Sequence, residues 1–166
     1  MKKKIILISS SIIPFEVFLK ELLNNLSKNY EIIIITNIYK KKLNSIKKYK
    51  LIQIPISRKI NIIQDIFVLT KLLFLMKKIS PSLIISITPK GGFFTSLSNF
   101  LFKYKHLHFI TGQNWIHKKG FKKIFFKSID NFTFKNSNYL LADSKSQINF
   151  LKKENFDTKN IKLIKE

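Results

Sequence analysis

Ser86-Ile87-Thr88-Pro89-Lys90-Gly91-Gly92 is the stretch whose reading decides the fold. Before it stands Ser82-Leu83-Ile84-Ile85, an apolar run that reads as a buried strand. After it, Phe93 to Phe102 reads as a helix. A Pro-Lys-Gly-Gly turn between the two has a plain physical use. Pro89 fixes φ and donates no N–H. Gly91 and Gly92 either satisfy turn geometry or let another molecule approach the backbone closely. The following helix offers free N–H groups and the positive end of its dipole, and Lys90 adds a full charge there. Such a turn suits an anionic or hydroxyl-rich ligand. A tight turn with a solvated lysine fits the same residues.

Outward from that stretch the same alternation repeats. Lys3 to Ser9 and Glu31 to Thr36 read as strands buried on both faces, with an amphipathic helix from Phe15 to Lys28 between them. Tyr39 to Lys50 reads as an exposed loop or short helix, and Leu51 to Ile56 as a short strand. Asn61 is placed to cap a helix running to Lys78, which Ser80-Pro81 closes before the strand Leu83 to Ile87. Lys105 to Ile110 reads as a strand with the exit loop Thr111-Gly112-Gln113-Asn114-Trp115. A helix over Phe121 to Asn136, a strand over Tyr139 to Ala142, and a helix through Glu154 capped by Ser144 complete the series.

This rhythm predicts an α/β fold: a Rossmann-like parallel sheet of six strands with helices on both faces. Ligands bind such sheets beyond the carboxyl ends of the strands. The loops there are Ser9 to Pro14, Thr88 to Gly92, Thr111 to Trp115, and Asp143-Ser144. They hold most of the candidate chemistry, and the topology alone would gather them.

Composition narrows the function classes. With 166 residues, 45% of them hydrophobic, the chain can bury one domain's core. It has no cysteine, which excludes disulfides and thiolate metal sites, and its three histidines are too scattered to suggest a metal cluster. The charge balance is extreme, 31 Lys+Arg against 9 Asp+Glu for a net +22, so polyanions will be attracted. Arg58 is the only arginine. Nucleic-acid readers lean on arginine's forked contacts. An anionic membrane surface is therefore favoured over nucleic acid, and a Lys/Ile/Asn/Phe bias typical of AT-rich codons accounts for part of the charge. The segment Ile60 to Met76 is apolar but carries Asn61, Gln64, Asp65 and Lys71, so it reads as a buried or surface-docking helix, not a membrane span.

Three stretches together resemble a known family: Ser86 to Phe94, then Ile110-Thr111-Gly112-Gln113, then Leu141-Ala142-Asp143-Ser144-Lys145-Ser146-Gln147. They are similar to the N-terminal half of bacterial family-4 glycosyltransferases of the GT-B fold, closest to the branch that builds capsular and O-antigen polysaccharides. The resemblance runs from the first strand to Lys159. It implies a domain over 1–159, with 160–166 starting the connection to a C-terminal donor-binding domain that this chain does not carry. It implies transfer of a sugar from a nucleotide-sugar donor to a glycan or lipid-linked acceptor, with no cofactor and no metal. The implied place is the cytoplasmic side, peripheral on the inner face of the cell membrane. Thr88, Lys90, Gly91, Gly92, Thr111, Gly112, Gln113, Asp143 and Ser144 become the acceptor-binding candidates. The exit loop of the fifth strand lacks the histidine often found there in the family, and no catalytic base is assigned.

Other residues have two readings each. Trp115 stacks on a sugar, anchors at an interface or packs in the core. His117 beside Lys118 and Lys119 fits a surface residue better than a base. His106 and His108 share one strand face, and a pair alone is weak evidence for a metal. Asp143 contacts a hydroxyl or supports a helix start. Lys118, Lys119, Lys122, Lys123 and Lys127 fall among Phe121, Phe125 and Phe126, which suits docking to an anionic bilayer. Besides a split or partial transferase, two classes stay open: a non-catalytic membrane- or glycan-binding module, and a basic nucleic-acid binder.

Overall fold

The computed structural model describes residues 2–38, 46–57 and 59–164. Its strands are β1 (Lys3–Ser9), β2 (Tyr30–Thr36), β3 (Lys50–Gln53), β4 (Leu83–Ile87), β5 (His106–Ile110), β6 (Tyr139–Ala142) and β7 (Ile161–Leu163). They form one sheet in the order β3-β2-β1-β4-β5-β6-β7, and every neighbouring pair is parallel. The helices are α1 (Ile13–Val17), α2 (Lys20–Asn29), α3 (Ile62–Ile79), α4 (Pro89–Phe102), α5 (Gly120–Lys135) and α6 (Lys145–Lys153). This is the Rossmann-like α/β sheet that the alternation predicts.

The central strands carry unbroken aliphatic runs because both of their faces are covered. Ile5 and Leu7 of β1 join Ile32 and Ile34 of β2 under Phe15, Leu19 and Leu23. The alternate residues Ile6, Ile8, Ile33 and Ile35 meet Val68, Leu72 and Met76 of α3 on the other side. A third cluster gathers Trp115, Phe134, Leu151 and Phe156. The expected caps are present: Asn61 accepts the Gln64 N–H at 3.1 Å, and Ser144 accepts the Gln147 N–H at 3.3 Å.

Several expectations need correction. The helix expected over Phe15 to Lys28 is two helices, α1 and α2. The N–H groups of Phe18 and Leu19 both reach the Pro14 carbonyl, at 3.1 and 3.0 Å, so the ladder slips by one residue there. β3 is shorter than expected, ending at Gln53 just before Pro55, which has no N–H for a ladder. A seventh strand, Ile161–Leu163, extends the sheet beyond the expected six and pairs with β6. The loop expected over Tyr39 to Lys50 lies mostly outside the described residues, but Ile46 and Tyr49 are buried in the core, not exposed. Finally, α4 begins at Pro89, so Pro89-Lys90-Gly91-Gly92 is a helix's first turn and not a loop. No helix among the described residues is long and apolar enough to cross a membrane.

Candidate functional site

The strand order reverses between β1 and β4: the chain moves outward one way to β3, then returns and moves the other way to β7. Ligands of open parallel sheets bind at such a switch point. The segments leaving β1, β4 and β5 meet there around a cleft of about 420 Å³, lined by Ser10, Phe18, Thr88, Lys90, Thr111, Gly112, Gln113 and Asn114. Of the nine candidate residues, Thr88, Lys90, Thr111, Gly112 and Gln113 line this cleft, while Gly91, Gly92, Asp143 and Ser144 do not.

Thr88 holds the corner. Its φ of 72° with ψ of 144° is a region that a β-branched residue enters only under strain, of order 1–3 kcal/mol. In return its hydroxyl oxygen accepts from the Ser10 N–H at 3.2 Å and the Ser10 hydroxyl at 3.1 Å, tying the β1 loop to the start of α4. The Gly92 N–H donates to the Thr88 carbonyl at 2.9 Å and closes the first helical turn.

Gly91 and Gly92 do not serve turn geometry, since neither has a positive φ, and both are buried. They let α4 approach the sheet. A Cβ on Gly91 would stand 3.3 Å from the Ile8 carbonyl oxygen, and one on Gly92 would stand 2.5 Å from the His108 ring. Thr95, Ser96 and Ser98 continue this buried small-residue face. Gly112 is different: its φ is +113°, and no atom lies within 4 Å of where a Cβ would be, so it presents bare backbone at the cleft. Gln113 Nε2 is buried there with no hydrogen-bond partner among the described residues. Asp143 and Ser144 sit at the same sheet end but serve the helix start. Ser144 donates to Asp143 at 2.9 Å while capping α6.

Beside the cleft, and sharing Pro89, Lys90 and Asn114 with it, lies an apolar pocket of about 150 Å³ walled by Phe93, Phe94, Phe125 and Ile129. Asp130 borders it. Burial pushes this carboxyl up to about 7, against the smaller opposing effect of the Trp115 indole N–H, which donates to Asp130 at 2.8 Å. Trp115 itself is fully buried and stacked on Phe150 and Phe156, so it packs the core and anchors to no interface. Sequence reasoning passed over Asp130. The available signal was an acid on the apolar stripe Phe126–Asp130–Phe134 of α5, where spacing of four keeps one helical face.

His106 and His108 are buried in a closed hydrogen-bond chain. Ser137 donates to the Thr133 carbonyl at 2.8 Å, so its oxygen accepts from His106 Nδ1 at 3.2 Å. Ser86 then donates to His106 Nε2 at 2.7 Å and accepts from His108 Nδ1 at 2.8 Å. Burial holds His106 down to about 4. Burial, with His106 as a neighbour, holds His108 to about 3. The pair is a neutral structural network. Among the described residues no three His, Cys, Asp or Glu side chains come together to hold a metal. His117 is exposed.

Comparison with known proteins agrees with this geometry. A family model described as glycosyl transferase 4-like matches residues 4–144. No curated protein sequence matches the chain. Among solved structures, UDP-N-acetylglucosamine 2-epimerase from Rickettsia bellii superposes with a TM-score of 0.73 at 10% identity, over 98% of this chain and 44% of that one. HepE from Anabaena, in complex with UDP, gives 0.70 at 12% identity, over 98% and 43%. Sucrose-phosphate synthase from Thermosynechococcus elongatus gives 0.69 at 12% identity, over 98% and 48%. The present chain thus spans less than half of each, and these likenesses establish the shared Rossmann-like half and nothing about substrate. With the family model covering the sheet from β1 through the cap of α6, the chain belongs to the glycosyl transferase 4-like family.

Proposed function

We propose that the chain is the acceptor side of a sugar-transfer enzyme that builds cell-surface polysaccharide. A nucleotide-sugar donor would be held by a C-terminal domain or subunit, and a hydroxyl of a glycan or lipid-linked acceptor would enter the cleft at the switch point. The observation that carries this reading is the cleft's lining: Ser10, Thr88, Thr111, Gln113 and Asn114 bring hydroxyl and amide groups to the place where parallel sheets bind ligands. The buried and unpartnered Gln113 Nε2 is a donor in want of an acceptor oxygen. Transfer also needs stabilisation of the departing diphosphate, which the cleft's neutral groups do not supply. Chemical-shift mapping of the 166-residue chain with short neutral oligosaccharides should move the amides of Ser10, Thr88, Thr111 and Gln113, and the chain alone should not turn over a nucleotide sugar. Shifts confined to another face, or turnover by this chain alone, would refute the proposal.

A second feature supports a membrane-held setting. α3, α4 and α5 pack side by side. They leave Ile62, Ile63 and Phe74, Phe100 and Leu101, and Phe121 and Ile124 exposed. Lys77, Lys78, Lys103 and Lys122 stand exposed among them, and the two acidic residues of these helices are occupied: Asp65 is paired with Lys90 and Asp130 is buried. Such a surface complements an anionic bilayer. Lys123 and Lys127, expected to belong to it, instead pair with Glu154 at 3.2 and 2.8 Å.

A further inference from the structure

In a chain of net charge +22, the cleft offers no free cation among the described residues. Lys90 is the one charged side chain among those lining it. Its Nζ is 2.7 Å from Asp65 Oδ1 and donates to the Lys59 carbonyl at 2.6 Å. The same ammonium lies 5.5 Å from the centre of the Phe94 ring. Asp65 is held in turn by the first turn of α3, where the Asn61 N–H donates to its Oδ2 at 3.3 Å. Its other oxygen, Oδ1, is buried and accepts no aligned hydrogen bond among the described residues, so the Lys90 ammonium holds it as an ion pair. No residue of α3 itself lines the cleft. A carboxylate from outside the cleft therefore draws back the cleft's single cation.

We propose that Asp65 is a specificity-determining residue: by holding Lys90 against α3 it leaves the cleft to an uncharged, hydroxyl-rich group and denies it to phosphate or carboxylate. This rests on the acceptor reading of the cleft and narrows it to a neutral glycosyl end. The polar side chains that remain facing the ligand, beside the apolar Ile13 and Phe18, are hydroxyl and amide, which pair with sugar hydroxyls in both donor and acceptor senses. A free ammonium would instead favour an anion through a charge-assisted bond.

The test uses the 166-residue chain in about 0.15 M salt, where long-range attraction is screened beyond roughly 8 Å. Two probes, methyl α-glucopyranoside and inorganic phosphate, are titrated separately while the amide signals of Lys90, Thr111 and Gly112 are followed. In the native chain phosphate should give no saturable shift at these amides. In Asp65→Asn it should saturate, at a concentration about tenfold or more below the highest that leaves the native chain unsaturated, and Lys90→Met added to Asp65→Asn should abolish that gain. The amide spectrum of each variant reports that it is folded. Phosphate that saturates the cleft of the native chain overturns the proposal, as does a folded Asp65→Asn that gains nothing. A variant that gains phosphate while the native cleft ignores the glucoside upholds the role of Asp65 and overturns the acceptor reading instead.

Discussion

Asp130, His106 and His108 are three buried titratable groups whose effects on stability oppose one another. The histidines are neutral in the folded chain, with values near 4 and 3 against an ordinary 6.5. Their contribution is complete above pH 6.5 and is lost as pH falls below it, because the unfolded chain takes up those protons first. Asp130 has the other sign. Its folded value near 7 lies above the ordinary 3.8, so its contribution is complete below 3.8 and is lost as pH rises toward and through 7. Between pH 5 and 6.5 two rising effects meet one falling effect. The net slope is about one proton's worth, roughly 1.4 kcal/mol per pH unit, with stability increasing toward neutral pH. Asp130→Asn removes the falling effect, and the slope over that window should approach two protons' worth. Denaturant unfolding at three pH values measures it. An unchanged slope in the variant would mean that the Asp130 carboxyl is already ionised beside Trp115.

At the scale of elements, α4 decides how the helix layer meets the sheet. Gly92→Ala sets two effects against each other. Alanine gains up to about 1 kcal/mol over glycine inside a helix. The new methyl would sit 2.5 Å from His108 Cε1 and 2.9 Å from the Thr133 side chain, and overpacking of this kind costs about 1–3 kcal/mol or more. His108 cannot swing away cheaply, since Ser86 holds its Nδ1. Gly92→Ala should therefore lower Tm by several degrees and reduce protection of the β4 and β5 amides from exchange; a variant as stable as the native chain would show that α4 shifts freely over β5. The same helix marks where sequence reading succeeded and where it stopped. The aliphatic runs of β1, β2 and β4 announce a doubly covered parallel sheet, and the parallel order alone carries Thr88 and Thr111 to Gln113 to one end. Pro89-Lys90-Gly91-Gly92 misleads because proline at a helix start and paired glycines look locally like a turn. The need for glycine lies in β1 for Gly91 and in β5 for Gly92, contacts that only the packed structure displays. Asp65 was hidden for the same reason: its bearing on Lys90 depends on α3 lying against α4. β7 was too short, at three residues, to show a period.

For the whole molecule, net charge and the α3–α5 surface make separable claims about membranes. A uniform +22 draws any anionic vesicle, whichever face is turned to it. A specific surface adds apolar insertion, which depends on where the exposed side chains lie. Ile63 and Phe121 are 84% and 79% exposed, on two different helices of that surface, and neither loss would open the core. Lys28 is exposed at the end of α2, which packs on the opposite side of the sheet from α3. Ile63→Glu with Phe121→Glu changes net charge by two units, and Lys28→Glu alone changes it by the same two, so the comparison holds total charge fixed. The native chain should co-sediment with vesicles containing phosphatidylglycerol and much less with purely zwitterionic ones. Raising salt from 0.1 to 1 M, which shortens screening from about 10 to about 3 Å, should weaken binding without abolishing it, because the apolar part is not screened. The double variant should lose most of its binding at either salt, while Lys28→Glu should stay near the native chain. Equal losses in the two variants, or complete release of the native chain by salt, would leave bulk charge as the sole attraction and remove the oriented surface from the account.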